Sequence, residues 1–507
     1  MVIHNRKEVL SLAAFTGQCL VLCSTMEIRI IHRVLIGLTL CLSALFQLSS
    51  CGSATDVQVS GMPQMPDLET TTESPQREES TMREEPLAQP QTGDIPAYPA
   101  PVANDGLLVD YCDRVFHPSI ASARLFPQGE MLAPPVLRLN SPEVLELHFD
   151  DLDGELRPYR YTLLHCTRDW SLSDLEPFEY LDGFAEQELR NYEFSTATRQ
   201  KFVSYIQNIP SEELKPLLSG NYLLIVWNDD APGKPVLTRR LMVLESGVDI
   251  TVEDFRPAAN RYRDTHQGLR FRINTRSFED SGPADRLGVV VMQNDRWDNA
   301  ATDWSPQFVR DGELVFDNPG QVFEAGREYR YFSTRSLSYL SERIANIDRS
   351  SNPKVIDLVR DDPRSYQRYS YRPDMNGNWF VALDGNENSG DRDEREADYA
   401  LVRFSLNYPA PLIDSEMGIT GSFTDGRCLP MSYDFDRNLY QAEILLKQGR
   451  YDYQYCGCGN NGKVTDLSFV EGNWFEAENH YSVLTYYRDR EQNYDRLVGY
   501  KRINTRE

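Results

Sequence analysis

Side chains capable of catalysis or metal binding are thinly and irregularly spread along this chain. Five histidines lie beyond residue 105, at His117, His148, His165, His266 and His480. No two share the spacing that presents ligands to a metal, so each reads as a satisfied or surface histidine. Neighbouring carboxylates occur at Asp150-Asp151 and at Asp391, Asp393 and Glu394, but a chain with 77 acidic residues produces such groups by chance. The run Asp384-Gly-Asn-Glu-Asn-Ser-Gly-Asp-Arg-Asp393 has the composition of a calcium loop without its Asp-x-Asp-x-Asn-Gly spacing, and a solvated acidic loop is expected there. No Gly-x-Ser-x-Gly elbow is present. No glycine-rich loop leads from a strand into a helix, so a nucleotide site is not supported. No catalytic, cofactor-binding or metal-binding residue is assigned, and the expectation is a protein that is not an enzyme.

Cysteine chemistry is the exception. Beyond Cys51 stand Cys112, Cys166, Cys428, Cys456 and Cys458, an odd number that leaves at least one thiol unpaired. The last three fall in one block, so a bridge is placed between Cys428 and Cys456, with Cys458 as the other partner for Cys428; buried apolar cysteines are the alternative. Cys51 has a different role. Arg29, His32 and Arg33 precede an apolar run from Val34 to Phe46, too short to span a bilayer, which is the make-up of a secretory signal. The run ends in Leu48-Ser-Ser-Cys51, which resembles the bacterial lipobox, whose cysteine is diacylated after cleavage. Residues 26–51 are therefore read as a lipoprotein-type signal peptide starting at Met26. Cys51 is the lipidation site, and the location is the periplasm with an anchor in the outer membrane.

These residues must be positioned by elements, and the elements are strands. Residues 52–105 hold eight prolines, one aromatic (Tyr98) and ten acids against two arginines. Such a segment has too little apolar surface to offset its ordering entropy, and it reads as an acidic Pro/Thr/Glu-rich disordered linker. Three β-rich blocks follow, at 106–246, 247–395 and 396–507. In the first, Leu145, Leu147 and Phe149 alternate with Glu146 and His148, while Tyr161–His165 and Tyr222–Trp227 read as buried strands. Ser211–Lys215 after Pro210 reads as one helical turn. In the second, Leu269, Phe271 and Ile273 alternate with Arg270, Arg272 and Asn274, and Leu287–Met292 is a buried run. In the third, Ala400, Val402, Phe404 and Leu406 oppose Arg403 and Ser405. With 27 Tyr and 22 Phe and no long stretch of helical period, the chain is expected to be all-β, a tandem of β-sandwich (immunoglobulin-like, early-set-like) domains. The net charge of −25 excludes a nucleic-acid partner and a basic membrane-binding surface, leaving the lipid anchor as the sole membrane contact. No small-molecule substrate is indicated.

The strings Tyr161-Thr-Leu-Leu-His-Cys-Thr-Arg-Asp-Trp170, Phe178-Glu-Tyr-Leu-Asp-Gly-Phe184 and Asn191-Tyr-Glu-Phe-Ser195 resemble the first domain of the type IX secretion system plug proteins. The order continues through Leu218–Leu223, Leu237–Leu241, Phe323–Arg330, Leu445–Tyr453 and Tyr486–Gly499, so the resemblance runs from about residue 106 to 500. It implies an extracytoplasmic, non-enzymatic protein that docks on the outer-membrane translocon β-barrel and closes its periplasmic mouth when idle. On that reading Trp170, Tyr180, Gly183 and Phe184 are candidate partner contacts, with Tyr180–Phe184 a loop tip turned at Gly183; the competing reading puts the aromatics in the sandwich core. A second similarity, Ile419–Thr424 with Met431, Tyr440 and Gly449–Tyr453, is to the early-set glycogen-binding module. It raises the alternative of a glycan-binding lipoprotein. The stacking Trp of that module is replaced here by Asp425-Gly-Arg-Cys428, so a shared fold does not carry the function.

Overall fold

The computed structural model describes residues 111–507, apart from 277, 279–285, 303, 386–389, 414 and 489–492. The signal peptide, Cys51 and the linker lie outside the described residues. What is described is almost entirely strand, arranged as three sandwiches.

The first sandwich pairs Tyr159–Cys166, Gly220–Asn228 and Pro235–Leu244 in one antiparallel sheet, with Tyr222 opposite His165 and Val226 opposite Tyr161. Its other sheet runs Ile120–Pro127, Leu145–Asp151, Val203–Ile209 and Tyr192–Phe194. Alternation fixes what faces inward: Leu145, Leu147 and Phe149 all lie in the shared core with Tyr161, Leu163, Leu224 and Val226. Phe149 stacks on Tyr205 at 5.0 Å while Tyr159 meets both edge-on. The expected helical turn at Ser211–Lys215 is absent. Leu214–Pro216 is instead a strand paired with Leu181–Gly183. Prolines at 210 and 216 leave too few residues between them to repay helix nucleation.

The second and third sandwiches are not consecutive in sequence. Asp249–Asp254, His266–Asn274, Glu313–Glu324 and Phe308–Arg310 form one sheet of the second. Its other sheet is Leu287–Gln293 with His480–Arg488 and Asp495–Asn504. Phe271 and Phe316 stack at 4.6 Å in the core between them, beside Trp304, Val291 and Val483. The third sandwich is inserted into the second. One of its sheets contains Arg330–Ser333, Trp379–Val381, Glu416–Thr420 and Gly449–Cys458. The other contains Ile344–Asp348, Lys354–Leu358, Tyr399–Asn407, Leu439–Lys447 and Ser432–Asp434.

The linear division at 395/396 is therefore not the one the sheets follow. Lys354–Leu358 pairs in parallel with Tyr399–Asn407 across it, and the last two strands complete the sheet begun at Leu287. Period-two patterning identifies strands but carries no signal for a pairing some 190 residues apart. The strands themselves stand where the alternation put them: Leu269, Phe271 and Ile273 are buried, as are Val402, Phe404 and Leu406.

Candidate functional site

The four candidate contact residues separate by burial. Trp170 is 5% exposed and Tyr180 3% exposed, so both are core residues. Trp170 meets Trp297 edge-on at 5.0 Å and carries the Arg240 guanidinium 4.4 Å above its ring. Tyr180 packs beside His165 and Tyr222. Phe184 is 69% exposed and Phe178 78% exposed, with Leu217 also open to solvent.

The local sequence builds this tip. Pro177 starts the short helix Pro177–Tyr180, and the Glu176 N–H donates to Glu179 Oε2 at 2.7 Å in a capping box. The chain then enters the strand Leu181–Gly183, and Phe184 N–H donates to Glu213 O at 2.9 Å. Gly183 has φ of +97°, and a Cβ there would stand 2.0 Å from Glu213 O, so only glycine fits. The result is a firmly held backbone with two phenylalanines turned outward. Tyr192 and Phe194, on the edge strand of the second sheet, add further exposed aromatic surface to the same sandwich.

The opposite feature, buried charge, lies where the first and third sandwiches meet. The outward face of Leu145–Asp151 carries Glu146, His148 and Asp150, and the third sandwich covers His148 and Asp150. Lys447 is fully buried there, its Nζ 2.6 Å from Asp150 Oδ2 and 3.3 Å from Glu394 Oε2. Glu394 also pairs with Arg124, and His148 Nδ1 approaches it at 3.7 Å. Tyr399 OH donates to Asp150 at 2.6 Å, and Lys447 sits 4.4 Å over the Phe202 ring. Burial pushes the Glu394 carboxyl up, but Arg124, Lys447 and His148 outweigh it and hold it down at about 2. Sequence alone makes these acids chance occurrences and the Asp384–Asp393 run a solvated loop. Its end enters the helix Gly390–Glu396, where Asp393 is buried and accepts from Leu383 N–H at 3.1 Å while Glu394 reaches into the interface. The available signal was Lys447 itself, a single lysine within the apolar run Ile444-Leu-Leu-Lys447.

A second buried network lies inside the third sandwich. Arg330 bonds Asp361 at 2.6 Å and Glu471 at 3.0 Å, and Arg364 reaches Glu471 at 2.5 Å. Tyr453 and Tyr455 both donate to Asp361. Their carboxylates face cations and hydroxyls of the same fold rather than open space, an arrangement suited to bracing.

A cleft of about 840 Å³ opens where all three sandwiches converge. Its wall includes Arg114, Arg239, Arg240, Arg296, Asp425 and Arg427, and it holds more Arg and Lys than Asp, against the acidic balance of the chain. Arg239 pairs with Asp425 at 3.0 Å, and Val115 N–H donates to the same carboxylate at 3.1 Å. The Asp425–Cys428 stretch, where the early-set module would place its sugar-stacking residue, is thus packed against the first sandwich. Near the cleft, Cys428 is bridged to Cys458 with a Cα–Cα separation of 5.3 Å, which corrects the Cys428–Cys456 pairing. Cys428 N–H donates to Gly462 O at 2.8 Å, in the turn just past Cys458, and this draws it toward the end of the Gly449–Cys458 strand. Cys456 and Cys166 are buried thiols, and Cys112 is half-buried.

Residues 120–245 match the family described as type 9 secretion system plug protein 1st domain. No curated protein matches the chain. A solved structure described as a hypothetical protein from Parabacteroides merdae is 30% identical, with a TM-score of 0.73; the match covers 78% of this chain and 100% of that one.

Proposed function

The chain belongs to the type 9 secretion system plug protein family, and from that premise we propose that it is a non-enzymatic subunit docking on the periplasmic mouth of the outer-membrane translocon barrel and sealing it when idle. The observation that carries this reading is the Phe178/Phe184 tip. Two large aromatics are held outward on a backbone fixed by a capping box, a strand pair and an obligatory glycine, and rigid aromatic anchors supply most of the energy at protein interfaces. Three sandwiches braced by buried ion networks form a stiff body, which occlusion of a wide pore needs. Among the described residues no helix is long and apolar enough to cross a membrane. The proposed membrane attachment, read from the Leu48-Ser-Ser-Cys51 motif, is diacylated Cys51, followed by residues 52–105. The glycan-binding alternative is less well supported, because the relevant stretch is occupied by contacts with Arg239 and Val115.

The test is genetic. Deleting the gene should raise outer-membrane permeability to large antibiotics while the barrel is present, and should have no such effect when the barrel is also removed. Equal permeability in the single deletion and its parent would sink the sealing role.

A further inference from the structure

Three sulfurs meet in one buried pocket at the end of the third sandwich. Cys456 and Cys458 lie two residues apart on the strand Gly449–Cys458, so both side chains leave the same face of the sheet. Across from them on Glu416–Thr420, Cys456 is opposite Gly418 and Cys458 opposite Glu416. Gly418 makes the room: a Cβ there would stand 2.3 Å from both Cys428 Sγ and Cys458 Sγ. Cys428 Sγ is bonded to Cys458, yet the free Cys456 Sγ lies only 2.8 Å from it. All three sulfurs fall within 4.8 Å of one another. Cys428 and Cys456 are buried among Val464 and Leu467, while Cys458 is half-exposed.

We infer that these sulfurs form a thiol–disulfide exchange site in which Cys428 is shared between Cys458 and Cys456. The step needs no external oxidant or reductant. The Cys456 thiol gives up its proton and attacks Cys428 Sγ; the Cys428–Cys456 bond forms as the Cys428–Cys458 bond breaks, and Cys458 leaves as a thiolate that takes up the proton. One disulfide and one thiol exist before and after. What changes is where the thiol is. It moves from a fully buried position to the strand end, where Gly459 N–H donates to Lys463 O in the turn that borders the cleft. A thiol there is open to a partner's cysteine or an electrophile, whereas Cys456 is not. Burial raises the Cys456 thiol far above an ordinary cysteine, with Glu471 and Asp298 adding to the rise and Arg296 opposing it, so the resting bridge is kinetically held.

The experiment uses the chain from residue 52, which leaves out the lipidated Cys51, trapped with N-ethylmaleimide in the native state and mapped without reduction, with fragmentation between Cys456 and Cys458. The wild type should give a major Cys428–Cys458 bridge and a minor Cys428–Cys456 bridge with the maleimide on Cys458. Cys456→Ser should keep the first bridge and lose all label at Cys458. Cys458→Ser should fold and carry the Cys428–Cys456 bridge. Cys428 and Cys456 both found as thiols in a folded Cys458→Ser chain would overturn the proposal. Should that variant not fold, the wild type decides: a Cys428–Cys458 bridge alone after prolonged incubation, with Cys458 never labelled, overturns it equally.

Discussion

Replacing Lys447 with methionine tests whether the buried charge between the first and third sandwiches behaves as one interdependent unit. Methionine keeps the length and apolar stem of the lysine, so packing over Phe202 is retained and the change is chiefly loss of charge. Arg124 still neutralises Glu394 in the variant, but the buried Asp150 carboxylate loses Lys447 and retains the Tyr399 hydroxyl. Removing one partner of a buried ion pair costs about 3–5 kcal/mol. Because Glu394 retains Arg124, the lower end of that range, about 3 kcal/mol, is expected. Urea denaturation followed by tryptophan fluorescence should show the midpoint fall with the slope unchanged, since the surface exposed on unfolding is the same. Asp150→Asn in the Lys447→Met background removes the stranded charge and should recover most of the loss, a coupling that a double-mutant cycle measures directly. A Lys447→Met chain within about 0.5 kcal/mol of wild type would refute the reasoning, as would two substitutions that simply add.

Stability should also depend on pH in a defined way. Burial, together with the charge of Asp452, raises Asp374 to about 7, and burial raises Asp452 to about 6. A raised carboxyl binds its proton more tightly when folded, so this contribution is complete below about pH 4 and is lost as pH climbs through 6 to 7. Glu394 and Glu471, held down at about 2, act oppositely: their contribution is present above about pH 4.5 and is lost as pH falls toward 2. Differential scanning calorimetry should find Tm higher near pH 5 than at pH 7.5, and Asp374→Asn should flatten that slope; a wild-type Tm that rises from pH 5 to 7.5 would contradict the assignment. Phe184→Ala should leave Tm unchanged and abolish co-purification with the barrel, while Tyr180→Ala should lower stability by about 3–5 kcal/mol; the reverse pattern would return Phe184 to the core. Cys51→Ala should shift the protein from the membrane pellet to the soluble fraction or leave an uncleaved precursor, and unchanged fractionation with intact lipid label would rule out the lipobox.

Much of the fold was legible because strands announce themselves locally. Leu145, Leu147 and Phe149 declare an inward face with no knowledge of the partner, and so do Leu269, Phe271 and Ile273. What covers an outward face is not local. Glu146, His148 and Asp150 look like any solvated stripe until a helix from residues 390–396 and a strand ending at Lys447 are laid over them. The same limit explains the domain borders, since pairing Leu287–Gln293 with His480–Arg488 depends on an insertion that leaves no periodic trace. At the tip, sequence could name Tyr180 and Phe184 together but could not divide them, because neighbours along a turn differ in burial by which way the backbone twists. Gly183 decided that. At the cysteines, sequence named Cys456 first and Cys458 second as the partner of Cys428; the two lie two residues apart on one face, and the backbone contact to Gly462 tips the choice to Cys458.

The interface chemistry bears on why a body of this kind would hold charge inside at all. Apolar side chains of equal volume would serve stability as well as the Lys447 cluster does, since desolvation cancels most of the attraction between buried ions. They would not define one docking position. A sheet face lined by aliphatics can slide against its neighbour at little cost. A face carrying Asp150 and His148 can be buried only where Lys447 and Glu394 meet them, and a shift by one strand position would strand a carboxylate at a cost of several kcal/mol. The third sandwich is covalently joined only to the second, so its angle to the first depends on such contacts. Under the proposed docking of the first sandwich's tip on a barrel rim, fixing that angle would determine whether the remaining mass lies across the opening or beside it.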